Sequence, residues 1–275
     1  MIEIYSPKST ILKKYVDFFY YINTKNTGEL NYVVFPHTFT TISLFKGAEL
    51  SRGNHKVTIY SNKESTNKHN AEITGRFIKP FFINYLSHIE EITIIFKPLG
   101  VNVFLRNNFI DYAPLYSQAL NQKEWISICK DAFDENRVSK RIEKIERWLL
   151  SNLNEKENVA IKKAITLIEN ANKDYSLQEI ADLCKISTKS LQRGFYKHLG
   201  CSPISYKRIA RFRHSLTKDV LKGEIKKLTD VAHDSNYYDQ SYFIKEYKRL
   251  TGTSPKNFFN RIIKLHENKI ILELK

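Results

Sequence analysis

"QSYFIKEYKRLTGTSP", residues 240–255, repeats in outline a stretch lying 52 positions earlier, "KSLQRGFYKHLGCSP" at 189–203. Each copy carries apolar residues at helical spacing, then a glycine, then Ser-Pro. Glycine suits the position just past a helix end, and serine followed by proline suits the cap and first residue of the next helix. Upstream, "LQEIA" (177–181) returns as "LTDVA" (228–232) at an offset of 51. Ser176-Leu-Gln-Glu179 has the capping-box pattern that starts a helix, the serine and glutamate each reaching a free backbone amide of the other. After a short break at Lys185-Ile186-Ser187, a second helix begins under the Ser187 cap. The small Ala181 lets the two helices pass closely, which describes a helix-turn-helix, and the sequence holds two of them.

In the second helix of the first unit Leu191, Phe195 and Leu199 share one face. At 100° per residue, Lys189, Gln192, Arg193 and Tyr196 fall within about 100° of one another on a different face. Such side chains suit the major groove, where Arg or Lys reads guanine and Gln reads adenine. At the offset of 52, Ser187 becomes Asp239, the buried set becomes Phe243, Tyr247 and Thr251 with Leu250 completing it, and the outward set becomes Ser241, Ile244, Lys245 and Lys248. The expected base-reading residues are therefore Lys189, Gln192 and Arg193 in the first unit and Ser241, Ile244 and Lys245 in the second, with Gln240 bordering that face. Ile244 suits a thymine methyl. Tyr196, Lys197, Lys248, Arg249 and Lys256 are expected at phosphates, which position a protein without specifying sequence. An ordinary solvated helix face would show the same residue types. The second turn is one residue longer and holds Asn236, which tolerates a left-handed backbone. "ISYKRIARFRHSLTKDVLK" (204–222) continues the helical pattern for ~28 Å, enough to hold two reading helices about one groove repeat, ~34–36 Å, apart. Arg211 and Arg213 on it either meet DNA or, in the case of Arg211, tie the units together.

The chain of 275 residues is long enough for two cores, and its hydrophobic content of 42% argues against long disorder. Its net charge of +15 is uneven: residues 161–275 hold 23 Lys and Arg against 12 Asp and Glu, whereas residues 1–160 hold 21 against 17. A basic C-terminal part draws polyanions, nucleic acid ahead of an anionic membrane face. No uncharged apolar run of about 18 residues occurs, and Lys13, Lys14 and Asp17 interrupt the N-terminal one, so a cytoplasmic protein without a membrane partner is expected. Cys129, Cys184 and Cys201 are widely spaced and include no Cys-x-x-Cys pair, which fits buried thiols in a reducing compartment. None of the histidines stands in a ligand-type spacing, and the sequence has no glycine-rich phosphate loop, Gly-x-Ser-x-Gly elbow or HExxH motif. No metal, cofactor or catalytic residue, and so no enzyme, is expected.

Residues 30–97 carry strand patterns in "NYVVF" (31–35), "TTISLF" (40–45), "KVTIY" (56–60) and "EITIIF" (91–96), separated by Pro36, Gly47, Gly53 and a polar loop at 61–70. This predicts a small antiparallel barrel or sandwich. Tyr32, Phe35, Phe39, Phe45, Phe77, Phe81, Phe82 and Phe96 would fill its core or line a pocket in it. A helix is predicted to open after Gly100. "RVSKRIEKIERWLLSNL" (137–153) predicts an amphipathic helix with Val138, Ile142, Ile145, Leu149 and Leu150 on its apolar stripe. The polar "SNLNEKEN" (151–158) is the predicted linker, and "VAIKKAITLIENA" (159–171) begins the helical half. The expected fold is α+β in two domains: an N-terminal cupin-like antiparallel β domain with flanking helices over 1–152, and an all-α domain over 158–262 with two helix-turn-helix units and a linker helix. A C-terminal tail, 263–275, follows.

With "SLQEIADLC" (176–184), "STKSLQRGFYKHLGCSPISY" (187–206), Arg211 and "VAHDSNYYDQSYFIKEYKRLTGTSPKNF" (231–258), residues 159–260 resemble the AraC/XylS family of bacterial transcription regulators. Three positions depart from that family's pattern: Asn236 stands where glycine is usual, Lys245 where arginine is usual, and Gly194 where a large hydrophobe is usual. Lys245 puts strict guanine reading by the second unit in doubt, because a planar bidentate donor becomes a point charge. The resemblance implies sequence-specific binding of double-stranded promoter DNA, activation or repression often through RNA polymerase, and an N-terminal domain that senses a small-molecule effector or mediates homodimerisation, in a cytoplasmic, nucleoid-associated bacterial protein. "GRFIKPF" (75–81) and "ITIIFKPLGVNVFLRN" (92–107) are similar to the sensor halves of some such regulators. Two other readings stay open: a non-specific architectural nucleic-acid-binding protein, and an N-terminal enzyme fused to a DNA-binding module. The latter would be like the family's alkylation-repair relatives, but no cysteine precedes Cys129.

Overall fold

A computed structural model describes every residue except 1, 26–27, 63, 66, 113–116, 156–157, 171–172, 217–227 and 267–268. The four expected strand runs form strands, and shorter or more polar segments complete the sheets around them. In chain order the strands are β1 (Ile2–Tyr5), β2 (Val16–Asn23), β3 (Leu30–Val34), β4 (Thr40–Lys46), β5 (Glu49–Gly53), β6 (Lys56–Tyr60), β7 (His69–Thr74), β8 (Phe81–Tyr85), β9 (Glu90–Phe96) and β10 (Ser117–Ala119). A last pair, β11 (Ile263–Leu265) and β12 (Ile270–Leu274), closes the chain. They make two six-stranded sheets, β1-β2-β9-β4-β7-β10 and β11-β12-β3-β8-β6-β5. The domain is antiparallel as expected, with one parallel pairing, β6 with β8.

β9 explains why the first sheet is central to the domain. All of its residues after Glu90 are buried, so it is covered on both faces, as its apolar run requires. One cover is a pair of helices, α1 (Lys123–Phe133) and α2 (Val138–Ser151). Trp125, Ile128, Ile142, Ile145 and Leu149 join Ile42, Leu44, Ile73, Ile92 and Ile94 in one apolar core, with Val138 and Leu150 at its margin. The amphipathic stripe of α2 thus packs on its own domain. Arg141 anchors that helix, donating to Glu90 at 2.8 Å from a buried position. After Gly100 the chain forms a short 3-10 turn, Gly100–Phe104, in place of a longer helix. A Cβ at Gly100 would lie 2.1 Å from the carbonyl oxygen of Tyr15, so only glycine lets these backbones touch.

The helical half runs α3 (Val159–Glu169), α4 (Leu177–Leu183), α5 (Thr188–Leu199), α6 (Pro203–His214), α7 (Leu228–Asp234), α8 (Gln240–Thr251) and α9 (Pro255–Arg261). The linker helix is shorter than its sequence pattern: α6 ends at His214, and the hydroxyl of Ser215 turns back to the Phe212 carbonyl at 2.7 Å. Its 12 residues rise ~18 Å rather than ~28 Å; residues 217–222 of the expected helix lie outside the described ones. The C-terminal tail does not trail. It leaves α9 after one residue, forms the β11–β12 hairpin, and pairs β12 with β3 through Leu272↔Val34, Glu273↔Val33 and Leu274↔Tyr32.

Candidate nucleic-acid interface

The two helix-turn-helix units are built from matching local devices. Ser176 and Glu179 form the capping box of α4, the Ser176 amide donating to Glu179 at 2.8 Å and the Glu179 amide to the Ser176 hydroxyl at 3.2 Å. Ser187 accepts from the Ser190 amide at 3.1 Å to start α5, and Asp239 accepts from the Tyr242 amide at 2.7 Å to start α8. α5 and α8 both stop at a left-handed glycine, Gly200 at φ 69° and Gly252 at φ 76°. Ser202-Pro203 and Ser254-Pro255 then open α6 and α9. Each turn also has a left-handed residue, Asn236 at φ 59° as foreseen, and Lys185 at φ 56°, which the sequence reading did not single out.

The faces separate as the periodicity dictates. Leu191, Phe195, Leu199, Phe243, Tyr247 and Leu250 are essentially inaccessible, and Thr251 is also buried. Outward, Lys189, Gln192 and Arg193 are exposed on α5, and Gln240, Ser241 and Lys245 on α8. Ile244 differs: it is half-buried and packs against the core of its own unit. Tyr196, Lys197, Lys248, Arg249 and Lys256 are exposed, with Arg249 3.8 Å from the buried Glu246. Gly194 is where α3 crosses α5. A Cβ there would meet Ile161 Cδ1 at 2.3 Å, so the helix lies closer to its neighbour than a larger residue permits.

The linker arginines divide their work differently from the sequence reading. Arg211 pairs with Asp174, which Lys207 also holds at 2.6 Å, so it braces the segment before α4 within the first unit. Arg208 reaches the second unit instead, 3.6 Å from Glu246 of α8. Arg213 turns towards the β domain. Its enclosed guanidinium donates to the Lys269 carbonyl at 2.5 Å, and burial lowers its pKa to about 10.

The end of α5 is held from the β domain. Buried Arg76 donates to the Leu199 carbonyl at 3.1 Å and stands over the Tyr206 ring, while Asn102 donates to the His198 carbonyl at 3.0 Å. A cation at a helix C-terminus opposes the negative end of the helix dipole. Neither residue was foreseen as a neighbour of α5; contacts this distant in sequence leave no periodic trace.

A cavity of about 80 Å³ opens between the sheets of the β domain and the helical half, lined by Phe35, Phe39, Phe45, Phe77 and Phe81 and closed by Arg213, Lys269 and Ile271. Of the aromatic residues named from sequence, Tyr32 and Phe96 are core and Phe82 lies on the outer surface. The polar wall includes Glu91, which accepts hydrogen bonds from the Tyr85 and Thr93 hydroxyls, burial pushing its pKa up. His37, in the same wall, is held well below its usual pKa by burial and then by the charges of Arg213 and Arg76. Among the described residues no three His, Cys, Asp or Glu side chains gather as a metal site, and no helix is long and apolar enough to cross a membrane.

A family model described as a helix-turn-helix domain matches residues 180–261. A curated relative, the XylDLEGF operon transcriptional activator 2 of Pseudomonas putida, is 27% identical over 118 residues, covering 42% of this chain and 71% of the relative. Among solved structures, a probable AraC family transcriptional regulator from Rhodopseudomonas palustris aligns with 37% of this chain and 94% of its own at 19% identity and a TM-score of 0.33. Unsaturated fatty acid-bound ToxT from Vibrio cholerae aligns with 86% and 96% at 14% identity and a TM-score of 0.42. The family model falls on the doubled helix-turn-helix, and the relative matched in sequence is a transcriptional activator.

Proposed function

We propose that the chain binds an asymmetric site in double-stranded promoter DNA by laying α5 and α8 into successive major grooves, and that it acts on transcription through RNA polymerase. The observation carrying this reading is the equivalence of the two exposed faces: matching caps and glycine stops orient Lys189, Gln192 and Arg193 on one helix, and Gln240, Ser241 and Lys245 on the other. Arg193 and Gln192 supply bidentate base reading. Ile244 contributes its exposed part to a thymine methyl. Tyr196, Lys197, Lys248, Arg249 and Lys256 take phosphates, so affinity falls steeply with salt.

The β domain receives a small molecule in the aromatic cavity or pairs two copies. The cavity supports the first role, because it is lined by apolar rings with a few polar groups, the usual character of a ligand site. Enrichment of duplexes from a randomised pool tests the DNA reading. A single asymmetric motif bound far more tightly than random duplex is expected; equal affinity across the pool would make the chain a non-specific nucleic-acid binder.

A further inference from the structure

The two units have unequal cores. The first draws its buried apolar core, Ile161, Ala164, Ile165, Ile180, Ala181, Leu191, Phe195, Leu199 and Tyr206, from the helical half, with Leu99 of the β domain at its margin. The second does not. Its core of Phe212, Val231, Phe243, Tyr247, Leu250 and Phe258 is completed by Val33 and Phe35 from the β3 segment and Ile271 from β12. Phe35 meets Phe258 edge to face at 4.8 Å. Successive residues of β12 serve opposite sides, Ile271 the second unit and Leu272 the β domain, as strand alternation demands.

The hairpin is fastened along its length. Beyond the β3 pairing, Lys275 donates its amide to the Asn31 carbonyl at 2.9 Å, Lys269 pairs with Asp17 at 2.7 Å, and the His266 ring packs tilted against Phe18 at 4.2 Å. Because α9 runs into β11 with only Ile262 between, a hairpin fixed to β3 fixes the end of the second unit too. Lys269, Ile271 and Arg213 are also walls of the aromatic cavity.

We propose that the C-terminal hairpin is a strap that completes the apolar core of the second unit on the β domain, making that unit conditional, whereas the first keeps a buried core of its own and meets the β domain through Leu99, Arg76 and Asn102 at its edge. The strap carries a change in the cavity to DNA binding through α7 and α8; α5 meets the β domain separately, at its C-terminal end, through Arg76 and Asn102. This deepens the regulator reading given above and rests on it for the DNA arm alone.

The test compares three full-purified proteins: the intact chain, a chain ending at Ile262, and the full-length Ile271→Ala variant, which keeps the strand pairing. Hydrogen exchange is followed by mass spectrometry without DNA. Amides of α7 and α8 are expected to exchange at least tenfold faster in the truncated chain and severalfold faster in Ile271→Ala, with α4, α5 and the central strands β2 and β9 unchanged. Equal protection of both units in all three proteins, or a loss in both units together in Ile271→Ala, overturns the strap. On an enriched duplex, protection against cleavage should shrink from two segments to one in the truncated chain. Failure of the intact chain to select any duplex would remove the DNA reading while leaving the exchange result to stand or fall by itself.

Discussion

Replacing Gly194 by alanine measures how closely α5 is seated on α3. The new Cβ would lie 2.3 Å from Ile161 Cδ1 and 2.8 Å from its Cγ1. Helix propensity alone favours alanine by about 1 kcal/mol. Overpacking opposes it by about 1–3 kcal/mol, because Cδ1 can swing aside whereas Cγ1 sits on a β-branched stem with restricted χ1. Ile161 is 2% exposed, so it has little open space to move into. The net expectation is a loss of about 0–2 kcal/mol. Ile161→Ala removes both clashing atoms and costs about 2–5 kcal/mol by itself. In the double variant the new methyl takes up part of the vacated volume, so it should be more stable than the sum of the singles by about 1 kcal/mol. Urea unfolding of the four proteins in this cycle, followed by circular dichroism, reads the coupling directly. Stabilisation by Gly194→Ala, or additivity within about 0.5 kcal/mol, would refute the close seating.

Arg193→Ala should weaken binding to an enriched duplex by about 1–3 kcal/mol and relax selectivity at one base position; titration against matched and mismatched duplexes checks this, and an equal loss on both would make Arg193 a phosphate contact. Arg76→Met should lower stability by about 1.5 kcal/mol, the low end for a charged hydrogen bond, because Arg76 Nε has no hydrogen-bond partner among the described residues and its burial offsets part of the gain. Exchange in the last turn of α5 should rise, with α8 unaffected. His37 is neutral in the fold and pairs Nδ1 with the Phe39 carbonyl at 3.0 Å. Its depressed pKa means the unfolded chain binds a proton first as pH drops through 6.5, so the stability it contributes is full above that pH and declines below it. Unfolding midpoints at pH 7.5 and 5.5 should therefore differ less in His37→Gln than in the parent protein.

The duplication was legible because caps and stops are local codes. Ser176, Glu179, Ser187, Gly200 and Ser202-Pro203 each act within four residues, and the last three have counterparts at an offset of 52 in Asp239, Gly252 and Ser254-Pro255. The amphipathic stripe of α2 was legible for a similar reason, a period that names its own buried face. The strap was not. "IKL" and "IILEL" are short apolar runs compatible with strand or helix, and β12 pairs with residues some 240 positions away. Its turn has no glycine to announce it; His266 takes φ 48° instead. The linker arginines failed for a different reason. Arg208, Arg211 and Arg213 all lie on one helix, and which acceptor each meets depends on what packs around α6: Glu246 on one side, Asp174 on another, the Lys269 carbonyl on a third.

On the proposed reading, the asymmetry between the units also divides the labour of binding. The first has Arg193 and Gln192, planar groups that can hold a base by two hydrogen bonds, on a helix whose core is its own and whose end is capped by Arg76. The second offers Lys245, a point charge, and Ser241 on a helix that leans on Phe35 and Ile271 for its core. Weak base reading and borrowed packing in one unit are mutually consistent. A unit that must gain and lose order can contribute only the affinity its ordering leaves over, and each 1.4 kcal/mol of that surplus changes occupancy of a site about tenfold. The first unit then chooses where the protein sits, and the second decides how long it stays.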